Sequence, residues 1–230
     1  MRILHLSATN ILATRNGPAE MERRTGVLRE LASPGTAVDL WENADGPLSI
    51  ETEDDEKAAI PGLLRNVARA RGYDAITLGC FGDPGLFEIR KATDVPVLGP
   101  GICAMHAASL IASKFSILVP VKTSVPLTLR QAGEYGFAGK LVSVRPLDIA
   151  VLTIREERER AVDAAVRVAG ECVEKDGAEV LVLGCMSMAF QRLNVDMREI
   201  LGVRVINPLI PMVRFAETLV VSFGAGRSQK

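Results

Sequence analysis

Along this chain of 230 residues, short unbroken aliphatic runs alternate with longer stretches in which apolar residues return every three or four positions. The runs "RILHLS" (2–7), "TAVDLW" (36–41), "DAITLG" (74–79), "VPVLG" (95–99), "FSILVPV" (115–121), "KLVSVR" (140–145), "EVLVLG" (179–184) and "VRVIN" (203–207) have the length and continuity of strands, mostly buried on both faces. Between Glu157 and Lys175, Ala161, Ala165, Val168 and Cys172 recur beside Val162, Val166, Ala169 and Val173, which predicts one helix with an apolar stripe. A second helix is expected from Pro61, a residue suited to a first helical turn, carrying Leu64, Val67 and Ala68 until Arg71-Gly72 stops it. The acidic run "ETEDDE" (51–56) reads as a solvated loop leading to that helix start, where negative charge is favourable. Strands alternating with helices predict parallel sheets joined by right-handed crossovers, an α/β fold.

The pattern also repeats itself. "DAITLGCF" (74–81) and "EVLVLGCM" (179–186) are an acidic residue, an aliphatic strand and then Leu-Gly-Cys. "VPVLGP" follows the first and "VRVINP" the second, and Pro100 and Pro208 each open an apolar helical stretch, "GICAMHAASLIA" and "LIPMVRFAETLVV". "RILHLS" precedes the first unit as "FSILVP" precedes the second, so two similar halves are expected.

Composition narrows the function classes. A net charge of -1 gives no basic surface for nucleic acid or an anionic membrane, and neither is expected as a partner. No apolar run reaches the length of a membrane span, and "MRILHLSATN" lacks the layout of a signal peptide, so a reducing cytoplasm is the expected compartment. Four cysteines without close spacing fit neither a disulfide framework nor a zinc site, and no metal is expected.

Two of those cysteines carry the candidate chemistry. In parallel sheets ligands collect at the carboxyl ends of strands, where Cys80 and Cys185 stand. Inverting a carbon stereocentre requires a base on one face and an acid on the other, and two thiols facing each other could serve both roles. A thiol's pKa of about 8.5 is readily lowered by backbone N–H groups at a helix start. Gly79 and Gly184 would let the backbone approach a ligand closely, and Gly82 adds a further flexible point. One such cysteine alone would more often be a small buried hydrophobe, but duplication of the whole Leu-Gly-Cys context favours the site.

On these words the chain resembles the aspartate/glutamate/hydantoin racemase superfamily, most closely its hydantoin racemase branch, over nearly its whole length. The matching stretches are "GPLSIETEDDEKAAIPGLL" (46–64), "LGCFGDPGL" (78–86), "VPVLGPG" with "MHAAS" (95–109), "SVPLTLRQAGEYGFAGKLVSVR" (124–145) and "LGCMSMA" (183–189). The resemblance implies a racemase or epimerase without cofactor, neither pyridoxal phosphate nor metal, built from two pseudo-symmetric α/β domains with the site in the cleft between them. On this chain the domains would be residues 1–98 with 208–230, and residues 99–207. The family's catalytic cysteines fall on Cys80 and Cys185, and a homo-oligomer acting on a small molecule is implied.

The recognition residues depart from that pattern. Where the hydantoin branch usually has Asn-Pro-Asn-Thr-Ser, this chain has "SATNI" (Ser7 to Ile11); its usual Thr-Thr is Val119-Pro120 here, and its Glu after Gly-x-Gly is Ile102. The amino-acid branch fits less well, having Asn-Thr and Thr-His where Phe81-Gly82 and Met186-Ser187 stand. The implied substrate is a hydantoin-like carbon acid, less acidic or with a larger hydrophobic group. Candidate binding residues are Ser7, Asn10, Phe81, Gly82, Asp83, Val119, Met186 and Ser187. Asp83 could orient Cys80 or a substrate N–H, or only close the "GDPG" turn; Ser7 and Asn10 could bind substrate or cap a loop. His5 and His106 are expected as packed, hydrogen-bonded core residues and Cys172 as structural, whereas Cys103 lies nearer the presumed cleft. A maleate-type isomerase, an arylmalonate-type decarboxylase and a non-catalytic ligand-binding relative stay open as alternatives.

Overall fold

The structure, a computed structural model, describes residues 1–224; the remainder of the tail expected in the first half lies outside the described residues. It forms two compact units. The first comprises Met1–Ile50, Asp54–Pro100 and the described residues from Leu209, the second Glu51–Glu53 and Gly101–Pro208. In chain order the elements begin β1 (Arg2–Leu6), α1 (Gly17–Leu31), β2 (Ala37–Trp41), α2 (Glu53–Arg69), β3 (Ala75–Leu78), α3 (Leu86–Lys91), β4 (Val97–Leu98) and α4 (Pro100–Ile111). They continue with β5 (Phe115–Val119), α5 (Ser124–Glu134), β6 (Leu141–Pro146), α6 (Val151–Glu156), α7 (Arg158–Glu174), β7 (Val180–Leu183), α8 (Met186–Phe190), α9 (Leu193–Leu201), β8 (Val205–Ile206) and α10 (Leu209–Phe223).

All eight aliphatic runs are strands. They form two four-stranded sheets, β2-β1-β3-β4 and β6-β5-β7-β8, in which every pairing is parallel. Every residue of β3, β5 and β7 is buried, as a strand covered by helices on both faces requires. In the first unit α10 packs on β3, β4 and α1 and so completes the layer over the first sheet. In the second, α7 buries Ala161, Ala165, Val168, Ala169 and Cys172, the stripe expected from spacing, against a core that includes Leu118, Leu181 and Leu183.

The order 2-1-3-4 creates one switch point per sheet. The chain leaves β1 for its neighbour on one side, then returns to the other side as β3; β5 and β7 do the same. Connections therefore diverge at the carboxyl ends of these two central strands, leaving a crevice where α/β folds commonly bind ligands. Both Leu-Gly-Cys words lie there.

Two expectations about α2 need correction. The helix starts at Glu53, so Glu53, Asp54, Asp55 and Glu56 are its first turn and not a preceding loop, and Pro61 lies in its interior. The proline is tolerated because it faces solvent, as does Lys57, whose carbonyl has no N–H to accept from at position 61. The buried face carries Ala59, Gly62, Leu63 and Val67 in place of Leu64 and Ala68. A side chain in place of Gly62 would displace Asn43, since an added Cβ would lie 1.8 Å from Asn43 Oδ1.

The same reasoning predicts opposite effects at two kinds of glycine. A Cβ on Gly79 would meet Ser7 Cα at 2.8 Å and Leu6 O at 2.9 Å, both backbone atoms, whereas one on Gly170 within α7 meets nothing within 4 Å. Urea unfolding should show Gly79→Ala destabilised by about 1–3 kcal/mol. Gly170→Ala should be stabilised by roughly 0.5–1 kcal/mol.

Candidate active site

Cys80 and Cys185 emerge from their sheets through the same backbone device. The Gly79 N–H donates to Leu6 O at 2.7 Å, and the Gly184 N–H donates to Leu118 O at 2.7 Å. Each bond carries the parallel ladder one residue beyond the strand and brings the next residue to the switch point. Glycine is required in both places: a Cβ at Gly184 would stand 2.7 Å from Ile117 Cγ2 and from Leu118 O.

Beyond the glycines the halves differ. Cys80 is half-buried and enters a tight turn, its carbonyl accepting the Asp83 N–H at 3.1 Å, and α3 does not begin until Leu86. The expected helix start directly behind this thiol is therefore absent, because Pro84 and Gly85, between Asp83 and α3, keep the chain in turns. Cys185 is buried and is itself the residue preceding α8, every residue of which is buried. The supporting side chains also differ: His5 Nε2 lies 3.0 Å from the position of a Gly79 Cβ, where the second half has Ile117 against Gly184. His5 and Thr77 are cross-strand partners hydrogen-bonded through Nδ1 and Oγ1 at 3.0 Å; Ile117 and Val182 occupy the equivalent pair.

The predicted binding residues distribute as follows. Ser7 follows β1, and its hydroxyl is engaged with Thr9, donating to Thr9 O at 3.0 Å and accepting the Thr9 N–H at 3.2 Å. Asn10 uses both ends of its amide on the loop, Nδ2 donating to Ala44 O at 2.8 Å and Oδ1 accepting the Ala13 N–H at 3.1 Å. Phe81 and Asp83 are buried in the Cys80 turn. Asp83 has a φ of 53°, a left-handed conformation that Asp tolerates better than most residues, and its carboxyl fills the space where a Gly99 side chain would stand. Val119 is fully enclosed, its Cγ1 2.9 Å from a Gly184 Cβ position. Met186 and Ser187 are buried in α8, and the Ser187 hydroxyl accepts from Arg155 Nε at 3.0 Å.

Two side chains beside the cysteine turns were missed in the sequence. Arg155 is one, and no spacing linked α6 to α8. Glu56 is the other: its Oε1 lies 2.0 Å from a Gly82 Cβ position, so the carboxylate occupies the space left by that glycine, two residues after Cys80. A signal for it exists, since Glu56 falls three and seven residues before Ala59 and Leu63, on the buried face of α2.

The remaining histidines and cysteines resolve differently. His5 is the packed core residue expected, held neutral because burial, aided by the nearby Arg24 guanidinium, lowers its pKa to about 3. His106 is exposed, contrary to expectation; α4 turns Ala104, Met105 and Ala108 inward, leaving the imidazole outside, edge-on to Phe137 with centroids 4.9 Å apart. Cys172 is wholly buried, and burial pushes its thiol up to about 11. Cys103 is buried on α4. No disulfide joins the four cysteines, and among the described residues no cluster of His, Cys, Asp or Glu could hold a metal ion. Nor is any helix among them long and apolar enough to cross a membrane.

Residues 19–216 match the family described as Asp/Glu/Hydantoin racemase. The chain belongs to that family. It is 34% identical over 227 residues to the hydantoin racemase of Paenarthrobacter aurescens, covering 96% of this chain and 91% of the relative. With the hydantoin racemase of Rhizobium meliloti it shares 34% over 193 residues, 83% of this chain and 78% of that one. Among solved structures, allantoin racemase from Klebsiella pneumoniae superposes with a TM-score of 0.89 at 28% identity, covering all of this chain and 91% of the other. A glutamate racemase from Francisella tularensis shares the fold at a TM-score of 0.69 and 14% identity, covering all of this chain and 84% of that one. This family member is an isomerase of the racemase class.

Exposure and acidity of the thiols predict an order of modification. In a brief iodoacetamide pulse at neutral pH, mass spectrometry should find Cys80 labelled first and Cys172 last, since the thiolate is the reactive form and Cys172 is both enclosed and of raised pKa. Early labelling of Cys172 would contradict this order.

His5 predicts an acid sensitivity. The unfolded chain takes up a proton on this residue near pH 6.5, whereas the native state refuses it until about 3, so stability falls as pH drops through that window. Between pH 6.5 and 5, above the carboxylate range, the slope from one such group approaches about 1.4 kcal/mol per pH unit. His5→Val should flatten the pH dependence of urea unfolding there, whatever it does to stability at neutral pH.

Proposed function

We propose that this racemase inverts a carbon stereocentre in a cyclic ureide by proton transfer at two cysteines, one thiol serving each face. The observation that carries the reading is the duplicated exit at the two switch points: a glycine N–H bonded to the strand beside it at 2.7 Å, with a cysteine as the next residue. A two-face proton transfer requires two groups of matched chemistry, and a thiol can act as base when ionised and as acid when not. Relatives named as hydantoin racemases and structural neighbours named as allantoin racemases act on molecules containing the same ring, whose stereocentre lies between an N–H and a carbonyl. Loss of its proton there gives an enolate, so no cofactor is needed as an electron sink. The enclosed Val119 and Met186 and the buried Phe81 favour a substrate with an apolar substituent. Retention of both cysteines disfavours the decarboxylase-type alternative.

The test is exchange in deuterated water with each enantiomer of a 5-substituted hydantoin and of allantoin. Cys80→Ser and Cys185→Ser should each lose racemisation by at least the roughly 10²- to 10⁴-fold that one general acid or base supplies. Each variant should still exchange the proton of one enantiomer with retention, and the two should differ in which enantiomer they exchange. If one cysteine proves essential for both enantiomers and the other dispensable, the two-thiol reaction is wrong.

A further inference from the structure

We infer that the second unit carries a ligand site, separate from the cysteines, for a small α-amino acid with an aliphatic side chain. A cavity of about 370 Å³ lies at the amino ends of β7 and β8. Its apolar lining comes from Val173 of α7, Ala178, Leu181 of β7 and Val203, and two charged residues, Glu179 and Arg204, complete it. Both the volume and this mixture, mostly apolar with a few polar groups that fix orientation, are those of a small-molecule site. The cavity is remote from the proposed chemistry, because Leu181 precedes Cys185 by four residues, about 13 Å along an extended chain.

Strand pairing brings the two charges together. Leu181 is level with Val205, and its N–H donates to Arg204 O at 2.9 Å, so Glu179 and Arg204, just ahead of the two strands, stand at one end of the pair. The Glu179 carboxylate accepts the Ser113 hydroxyl at 2.5 Å and the Ser113 N–H at 3.0 Å. Those bonds, with Lys114 and Arg204 nearby, hold its carboxyl below the usual carboxylate range, and it is ionised at neutral pH. A carboxylate offers about four acceptor positions, of which Ser113 takes two. The Arg204 guanidinium makes no hydrogen bond or ion pair among the described residues, and Glu179 feels it only as a nearby positive charge.

The ligand follows from what each group can accept. A guanidinium is the complement of a carboxylate, and the remaining acceptor positions of Glu179 need N–H donors. Val173, Leu181 and Val203 need an apolar group beside both. An α-amino acid carries its ammonium, its carboxylate and its side chain on one carbon, and so presents all three at once.

The experiment is calorimetric titration of the whole protein with each enantiomer of leucine, with 4-methylpentanoate, which lacks the ammonium, and with 3-methylbutylamine, which lacks the carboxylate. At least one enantiomer of leucine should bind saturably. Each analogue should bind about 10- to 100-fold more weakly, the range for a hydrogen bond to a charged group. Arg204→Gln should weaken leucine by a similar factor and leave the amine unaffected; Glu179→Gln should weaken leucine and leave 4-methylpentanoate unaffected. Both side chains are exposed, and the two analogues test the same contacts on the unaltered protein. The double variant Cys80→Ser with Cys185→Ser should bind leucine as the wild type does, and a 5-substituted hydantoin should not compete. Absence of saturable binding by either enantiomer, or binding indifferent to both charge substitutions, would overturn the site. Leucine binding lost in the cysteine variant or displaced by the hydantoin would overturn it too, by moving the ligand to the cysteines. The cysteine reaction is tested separately by proton exchange and stands or falls apart from this result.

Discussion

Everything at the candidate site depends on how closely two parallel strands can approach at a switch point. Beyond Leu78 the chain must keep bonding to β1 for one more residue, and the Gly79 N–H meets Leu6 O at 2.7 Å. Any side chain there would strike the backbone of Ser7. A glycine is the one residue that lets the ladder continue to the edge and still releases the chain into a turn, and its successor is then presented at the carboxyl end of the sheet. The second unit meets the same constraint in the same way at Gly184, against Leu118. A cysteine in that position is held by main-chain bonds before any side chain contributes.

The fold was legible where burial makes composition periodic. β3, β5 and β7 are covered on both faces, so their sequences are unbroken aliphatic runs, and α7 is covered on one, so its stripe shows every three or four residues. α2 was misread because Pro61 and an acidic run are usual marks of a beginning, and here they lie inside and at the first turn of one long helix. Local residue preferences cannot distinguish a proline at a helix start from one on the solvent face of an interior turn. His106 was misread because α4 is apolar almost throughout, so its sequence gives little sign of which residue faces outward.

The site was legible only as far as its repeats. Cys80 and Cys185 were found because their surroundings occur twice, but Glu56 meets Gly82 across 26 residues and Arg155 meets Ser187 across 32, contacts that exist only once the helices are docked. What the sequence could offer for Glu56 was an acidic residue in register with a buried stripe.

Duplication also explains which features match and which do not. The glycine hydrogen bond is a main-chain requirement, so both halves keep it, together with the sheet order and the cysteine behind it. The side chains beneath belong to two separate cores and have no reason to agree: His5 and Thr77 under one turn, Ile117 and Val182 under the other. A buried neutral histidine is acceptable because Thr77 satisfies one ring nitrogen, whereas Ile117 needs no partner and only fills space. The two thiols thus share a backbone frame but not an environment, one half-buried in a turn over polar packing and the other enclosed over aliphatic packing. The proposed two-thiol reaction needs equivalent positions for its two groups, not equivalent surroundings. That requirement falls on the glycines, and the divergence falls where it has no effect on them.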